Sequence, residues 1–135
     1  MDTRAYQPTD REALIALWEK VFPDDPPHNK PAQMIEAKAK VDGLMFVAED
    51  EGRLIGAIMA GYDGHRGWLY EVAVEPEFCR KGVGTKLVKH AVRQLQAIGC
   101  VKVNLQVTST NSQVVDFYTS VGFVVEDRIS MGRLL

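Results

Sequence analysis

The sequence predicts a mixed α/β (α+β) fold with the element order α-α-β-β-β-α-β-α-β-β. Three observations carry this expectation. Two segments with helical spacing come first. Three strand-like runs separated by short turns follow. A strand, a long amphipathic helix and an alternating strand then succeed one another across residues 68–107. A strand–helix–strand unit within one sheet needs a parallel crossover, almost always right-handed, so the sheet is expected to be mixed.

Thr9-Asp10-Arg11-Glu12 has capping-box spacing. It is expected to open a helix with Leu14, Ile15, Leu17, Trp18, Val21 and Phe22 on one broad face, ended by Pro23. "FPDDPPHNKP", residues 22–31, reads as a surface loop. A second helix is expected over 31–41, with Met34, Ile35, Ala37 and Val41 apolar. "LMFVAED" and "LIGAIMAGY" flank the turn "EDEGR" and predict an antiparallel hairpin. "DGHRG" is a second turn, and "WLYEVAVEP" a third strand ended by Pro76. The clearest helix spans 83–98, where Val83, Leu87, Val88, Ala91, Val92, Leu95 and Ile98 recur at helical spacing before Gly99. Val101, Val103, Leu105 and Val107 then alternate with polar residues, as in a strand with one buried face. A short helix from Asn111 to about Ser120 stops at Gly122, and "FVVED" and "ISMGRLL" are expected as closing strands.

At 135 residues, 46% apolar and 25% charged, the chain reads as one soluble globular domain over 1–135. A net charge of -2 argues against a general nucleic-acid binder, and no apolar run has membrane-spanning length. "MDTRAYQPTDREA" lacks the apolar core of a signal peptide. Cys79 and Cys100 are too few for a disulfide framework or a zinc site, so no metal is expected and a reducing cytoplasm is.

Gly82-Val83-Gly84 stands where a strand meets a strong helix. It is not a P-loop, because Lys86 follows Thr85 rather than glycine. It is not a dinucleotide fingerprint either, because Leu87 stands at the third glycine position. Around 79–83 there is no Ser, Thr, Asp or Asn to cap the helix, while Arg80 and Lys81 add positive charge at the positive end of the helix dipole. Gly82 and Gly84 remove side chains that would block the backbone. A phosphate or pyrophosphate would satisfy these features together; water on an ordinary glycine turn is the alternative.

"VAVEPEFCRKGVGTKLV" followed by "NSQVVDFYTSVGF" resembles the GNAT superfamily of N-acetyltransferases, and the resemblance extends over nearly the whole chain. Within it, the turn at residues 60–67 resembles the small bacterial YpeA-type members. The resemblance implies the GNAT fold, a mixed sheet flanked by helices on both faces. It also implies acetyl-CoA as cosubstrate, its pyrophosphate on the helix start. The signature Gln/Arg-x-x-Gly-x-Gly/Ala falls on residues 79–84, with Cys79 departing at its first position. The second signature falls on Asn111, Val114, Phe117, Tyr118, Gly122 and Phe123, with Val114 in place of alanine.

Acetyl transfer to an amine requires a held thioester, a neutral amine, a stabilised oxyanion and a proton for the departing thiolate. The resemblance assigns the pyrophosphate to Arg80, Lys81, Gly82, Val83, Gly84 and Thr85, and the pantetheine arm to the strand edge at Val72, Ala73 and Val74. It implies that Asn111 binds the arm; a helix cap is the plain alternative, and both can hold. Tyr118 resembles the general acid, with a core tyrosine as the alternative. A backbone N–H near Val72 or Ala73 is expected to meet the oxyanion. Glu71 interrupts an apolar strand, and partial desolvation there would raise its pKa toward that of a useful base; a solvated carboxylate is the alternative. Gln106, where some relatives carry a Glu, cannot be a base. His28, His65, Tyr62 and Trp68 are weaker candidates for the acceptor side. The expected function is direct transfer from acetyl-CoA to a small-molecule or peptide amine. A catalytically inactive CoA-binding module is the alternative. Relatives that dimerise through closing strands leave a homodimer open.

Overall fold

A computed structural model describes residues 1–135. Nine elements follow in order: β1 (Asp2–Ala5), α1 (Arg11–Val21), α2 (Pro31–Ala39), β2 (Met45–Asp50), β3 (Arg53–Tyr62), β4 (Gly67–Val74), α3 (Val83–Ala97), β5 (Val103–Asn104) and α4 (Ser112–Ser120). The strands form one sheet in the order β1-β2-β3-β4-β5. The first four are antiparallel neighbours, and β5 joins β4 in parallel, so the expected crossover is present. Glu51 and Gly52, at φ 49° and 79°, make the tight hairpin turn between β2 and β3.

Helices cover both faces of the sheet. On one, Leu14, Leu17 and Trp18 of α1 and Ile35 of α2 pack on Met45, Val47, Ala57 and Ala73. On the other, Val83, Leu87, Val88, Ala91 and Leu95 of α3 pack on Phe46, Ala48, Ile58 and Ala60. Burial on both sides explains why "LMFVA" is a continuous apolar run rather than an alternating one. Each fully buried Leu or Val contributes roughly 1.5–3 kcal/mol, so the two clusters dominate the stability.

Three expectations need correction. The first concerns β1, which the sequence did not announce. "DTRA" has no apolar alternation. It pairs along the edge of β2 from Asp2↔Glu49 to Ala5↔Phe46, and its polar side chains hold it there. Arg4 forks onto Asp10 at 2.8 and 2.9 Å and reaches Glu49 at 3.0 Å, while Thr3 Oγ1 lies 3.2 Å from His90 Nδ1. The second concerns the cap of α1. Thr9 and Glu12 form no capping box; the Asp10 carboxylate accepts the Gln7 N–H at 2.8 Å, and a 3₁₀ turn at Pro8–Asp10 runs into the helix. Asp10 takes this place because Arg4 fixes its carboxylate there.

The third concerns the closing strands. Residues 124–135 carry no regular structure, and Val124, Val125, Ile129 and Met131 are exposed. Side chains, not a backbone ladder, tie this segment to β5: Lys102 Nζ and Asn104 Nδ2 reach Glu126 at 2.7 and 2.9 Å, and Gln106 meets Ser130. With no ladder on that side, β5 shrinks to two residues and Val101 is left 88% exposed.

The Arg4 guanidinium holds the Asp10 carboxyl below the usual carboxylate range, with burial opposing. A lowered native pKa contributes stability that is complete above the unfolded value, about 4, and is lost as pH falls through the native value. Asp10→Ala is therefore expected to cost about 2 kcal/mol at neutral pH in urea unfolding. The difference should shrink on acidification below about pH 4. Equal stability at neutral pH would mean that the cluster contributes nothing net.

Candidate active site

β4 and β5 pair only at Gly67↔Val103 and Trp68↔Asn104. Beyond that point β4 continues to Val74 with no strand on its β5 side, and the sheet splays. A groove of about 410 Å³ occupies the opening. Its walls are Val72 and Val74 of β4, the segment from Phe78 to the start of α3, and Val114, Phe117 and Tyr118 of α4.

The start of α3 is bare. Gly82 sits at the N-cap position with φ 81°, and no side chain caps the helix. The first helical bond runs from Lys86 N–H to Gly82 O at 3.1 Å, so the N–H groups of Val83, Gly84 and Thr85 have no intrahelical acceptor. Arg80 is left-handed too, at φ 64°. A non-glycine residue there stores roughly 1 kcal/mol or more of strain. Left-handed residues ahead of a helix turn successive amides to one side, which makes an anion-binding concavity.

The two glycines differ in their surroundings, and both line the groove. A Cβ at Gly82 would meet no protein atom within 4 Å, and the backbone there is left-handed at φ 81°. A Cβ at Gly84 would stand 3.2 Å from Phe117 Cζ, so that glycine also seats α4 against α3.

Of the other residues expected around this site, Arg80, Val83 and Thr85 line the groove. Lys81 instead stands with Nζ 5.3 Å above the Phe78 ring. Ala73 is buried in the cluster under α1. Asn111 Oδ1 accepts the Val114 N–H at 3.3 Å and caps α4, so the cap role is present. Cys79 is exposed at the rim.

Tyr118 is 9% exposed and packs edge-on against Phe117 and Phe123, with ring centroids at 4.9 and 5.7 Å. Burial alone pushes its phenol up to about 12. The hydroxyl is therefore protonated at neutral pH.

Glu71 occupies a β-bulge. Ala57 faces Ala73 and Met59 faces Tyr70, so Ile58 alone opposes both Glu71 and Val72. Glu71 has φ 51°, and its carbonyl accepts the Trp18 Nε1–H at 3.0 Å, which ties the bulge to α1. Oε1 takes a long hydrogen bond from Asn29 Nδ2 at 3.5 Å, and Oε2 is buried without a partner. Burial first, then the charge and hydrogen bond of Asp25, push the carboxyl up to about 7. Asp25 and Asn29, both in the 22–31 loop, were not among the expected site residues. Irregular loops carry no periodicity that would have singled them out.

His28 and His65 are exposed. His65 belongs to a turn in which Asp63 Oδ1 accepts two backbone N–H groups at 2.7 Å each. Trp68 and Tyr70 stack at 6.4 Å. Tyr62 donates to Gly99 O at 3.4 Å. No helix is long and apolar enough to cross a membrane.

The family model described as acetyltransferase (GNAT) family matches residues 11–123. An acetyltransferase of Pectobacterium atrosepticum is 37% identical over 136 aligned residues, covering 100% of this chain and 96% of the relative. An acetyltransferase of Yersinia enterocolitica matches to the same extent. Among solved structures, an aminoglycoside N-acetyltransferase in complex with CoA superposes with a TM-score of 0.84 at 22% identity, over 98% of this chain and 93% of that one. The ribosomal-protein-S18-alanine N-acetyltransferase of Escherichia coli gives 0.74 at 20% identity, over 90% and 76%. At such identities the structural likeness speaks to the fold.

Proposed function

Because the chain belongs to the acetyltransferase (GNAT) family, we propose that it transfers the acetyl group of acetyl-CoA to a primary amine by direct attack in a ternary complex. One observation carries this reading: the bare start of α3 and the free edge of β4 open into the same groove, with Tyr118 in its wall. The amides of Val83, Gly84 and Thr85 donate to the pyrophosphate, and Arg80 and Lys81 add charge. The edge at residues 72–74 pairs with the amides of the pantetheine arm as an added strand would. Asn111 supports the arm while capping α4.

Glu71 takes a proton from the acceptor ammonium. A backbone N–H of the bulge, at Val72 or Ala73, donates to the carbonyl oxygen as the nitrogen–carbon bond forms. Tyr118 gives its proton to the thiolate as the carbon–sulfur bond breaks. Residues 1–135 serve as one catalytic domain in this reading. The turn at 60–67 supports a place among the small bacterial YpeA-type members. The two free cysteines favour a reducing cytoplasm.

Titration with acetyl-CoA, followed by thiol release across a panel of amines, tests the proposal. Binding without turnover on any amine would favour an inactive CoA-binding module, and absence of binding would remove both readings. Arg80→Gly isolates the charge, because glycine accepts the left-handed backbone at φ 64°. It is expected to weaken acetyl-CoA binding about tenfold and to reduce its salt dependence. Undiminished affinity would place the phosphates elsewhere.

A further inference from the structure

We propose that the acceptor is an alkyl amine carrying at least one further cationic group, bound between the Glu71–Asp25 carboxyl pair and an aromatic shelf formed by Trp68 and Tyr70. This rests on the transferase reading and names the substrate class of its acceptor side.

The shelf and the carboxyls lie on one face of the sheet. Tyr70 is opposite Met59, and Met59 packs into the cluster under α1 and α2. Directly opposed residues share a face, so Tyr70 points to the α1–α2 side, and Trp68, opposite Gly61, does likewise. The Glu71 carboxyl points to the same side, where it meets Asn29 and Asp25 of the α1–α2 loop.

The helices do not cover this part of the sheet. Tyr70 is 47% exposed, and its ring lies nearly parallel to that of Trp68, at an interplanar angle of 24°. Gly61 beside them has no side chain, and the atom nearest to a Cβ built there is Tyr70 Cε2 at 3.8 Å. The result is an open aromatic surface beside a partly buried carboxyl whose partners are another carboxyl and one long amide bond. Only a 3.5 Å bond from Asn29 and the carboxyl of Asp25 reach the Glu71 carboxyl, so a cationic donor from a ligand would relieve the crowding of the two acids.

Carboxylates stand at both ends of the shelf. Asp25 meets Glu71, and Asp63 acts on Tyr70 from the β3–β4 turn. Of the cations on adjoining elements, Lys20 is paired with Glu75 at 2.6 Å, while Arg66, hydrogen-bonded to the ring and carbonyl of His65, and Lys30 have no carboxylate partner. One carboxylate is enough for the attacking ammonium. The additional carboxylates and the aromatic faces suit a second cation joined to it by an alkyl spacer. An acceptor with a free carboxylate would meet like charge.

Cadaverine and pentylamine share a chain length and differ in the second ammonium, so their binding to the CoA-saturated protein, read by calorimetry, tests the inference. Cadaverine is expected to bind about tenfold more tightly, and Asp25→Asn to bring the two within about twofold. Equal affinities, no saturable cadaverine binding, or glutamate binding as tightly as cadaverine would overturn it. The readout does not depend on turnover. Preferential cadaverine binding with no thiol released from acetyl-CoA would remove the transferase reading and leave the ligand class standing. Faster acetylation of glutamate or pentylamine would do the reverse.

Discussion

Tyr118→Phe is expected to slow acetyl transfer about 10²–10⁴-fold, with acetyl-CoA affinity changed by no more than about threefold. The substitution deletes one oxygen and keeps the ring, so the edge-on contacts with Phe117 and Phe123 survive. What disappears is a proton donor in the groove wall. Burial holds that phenol at about 12, so it is protonated across the working range, and the wild-type profile should show no alkaline fall from it below about pH 10. Steady-state thiol release, with donor affinity measured separately, separates chemistry from binding. Unchanged turnover would remove Tyr118 as the acid and leave it as a packing residue.

Glu71→Gln is expected to lower kcat/KM by a similar factor, about 10²–10⁴, and to abolish an acid limb near pH 7. The carboxyl titrates at about 7 because it is desolvated and close to Asp25. As a base it must be ionised, so wild-type activity should rise as pH passes upward through that value and then level off. The same shift has a stability signature of opposite sign. A carboxyl whose native pKa is raised favours the fold below its unfolded value, near 4.5, and that contribution is lost as pH rises through about 7. Glu71→Gln should therefore be more stable than wild type at pH 8, by about 1 kcal/mol after discounting for solvent screening at this partly exposed site. Thermal unfolding at pH 4 and pH 8 reads the crossover. An unaltered pH–rate profile in the variant would sink the assignment.

The parts of the structure that the sequence disclosed are those governed by local pattern. α3 follows from seven apolar residues at helical spacing ahead of Gly99, and the β2–β3 hairpin from two apolar runs around Glu51-Gly52. The bare start of α3 could be read as an absence of capping residues. What stayed hidden depends on partners distant in the chain. β1 is held by Arg4 reaching Asp10 and Glu49, and no pattern within "DTRA" encodes that. The expected closing strands have β-branched residues in plenty, but strand propensity needs a ladder partner, and residues 124–135 have none here. At the site, Glu71 stood out as a charge in an apolar strand. Its left-handed backbone, its bond to the Trp18 indole and its contact with Asp25 arise only once α1 and the 22–31 loop fold over β4.

The contact between Gly84 and Phe117 links two helices that otherwise belong to different walls of the groove. A methyl at position 84 would act as a shim: Phe117 would have to yield by a few tenths of an ångström, carrying with it the neighbouring Tyr118 on the same helical turn. If Tyr118 is the acid proposed above, a residue that touches no reacting atom thereby sets where that acid stands in the groove.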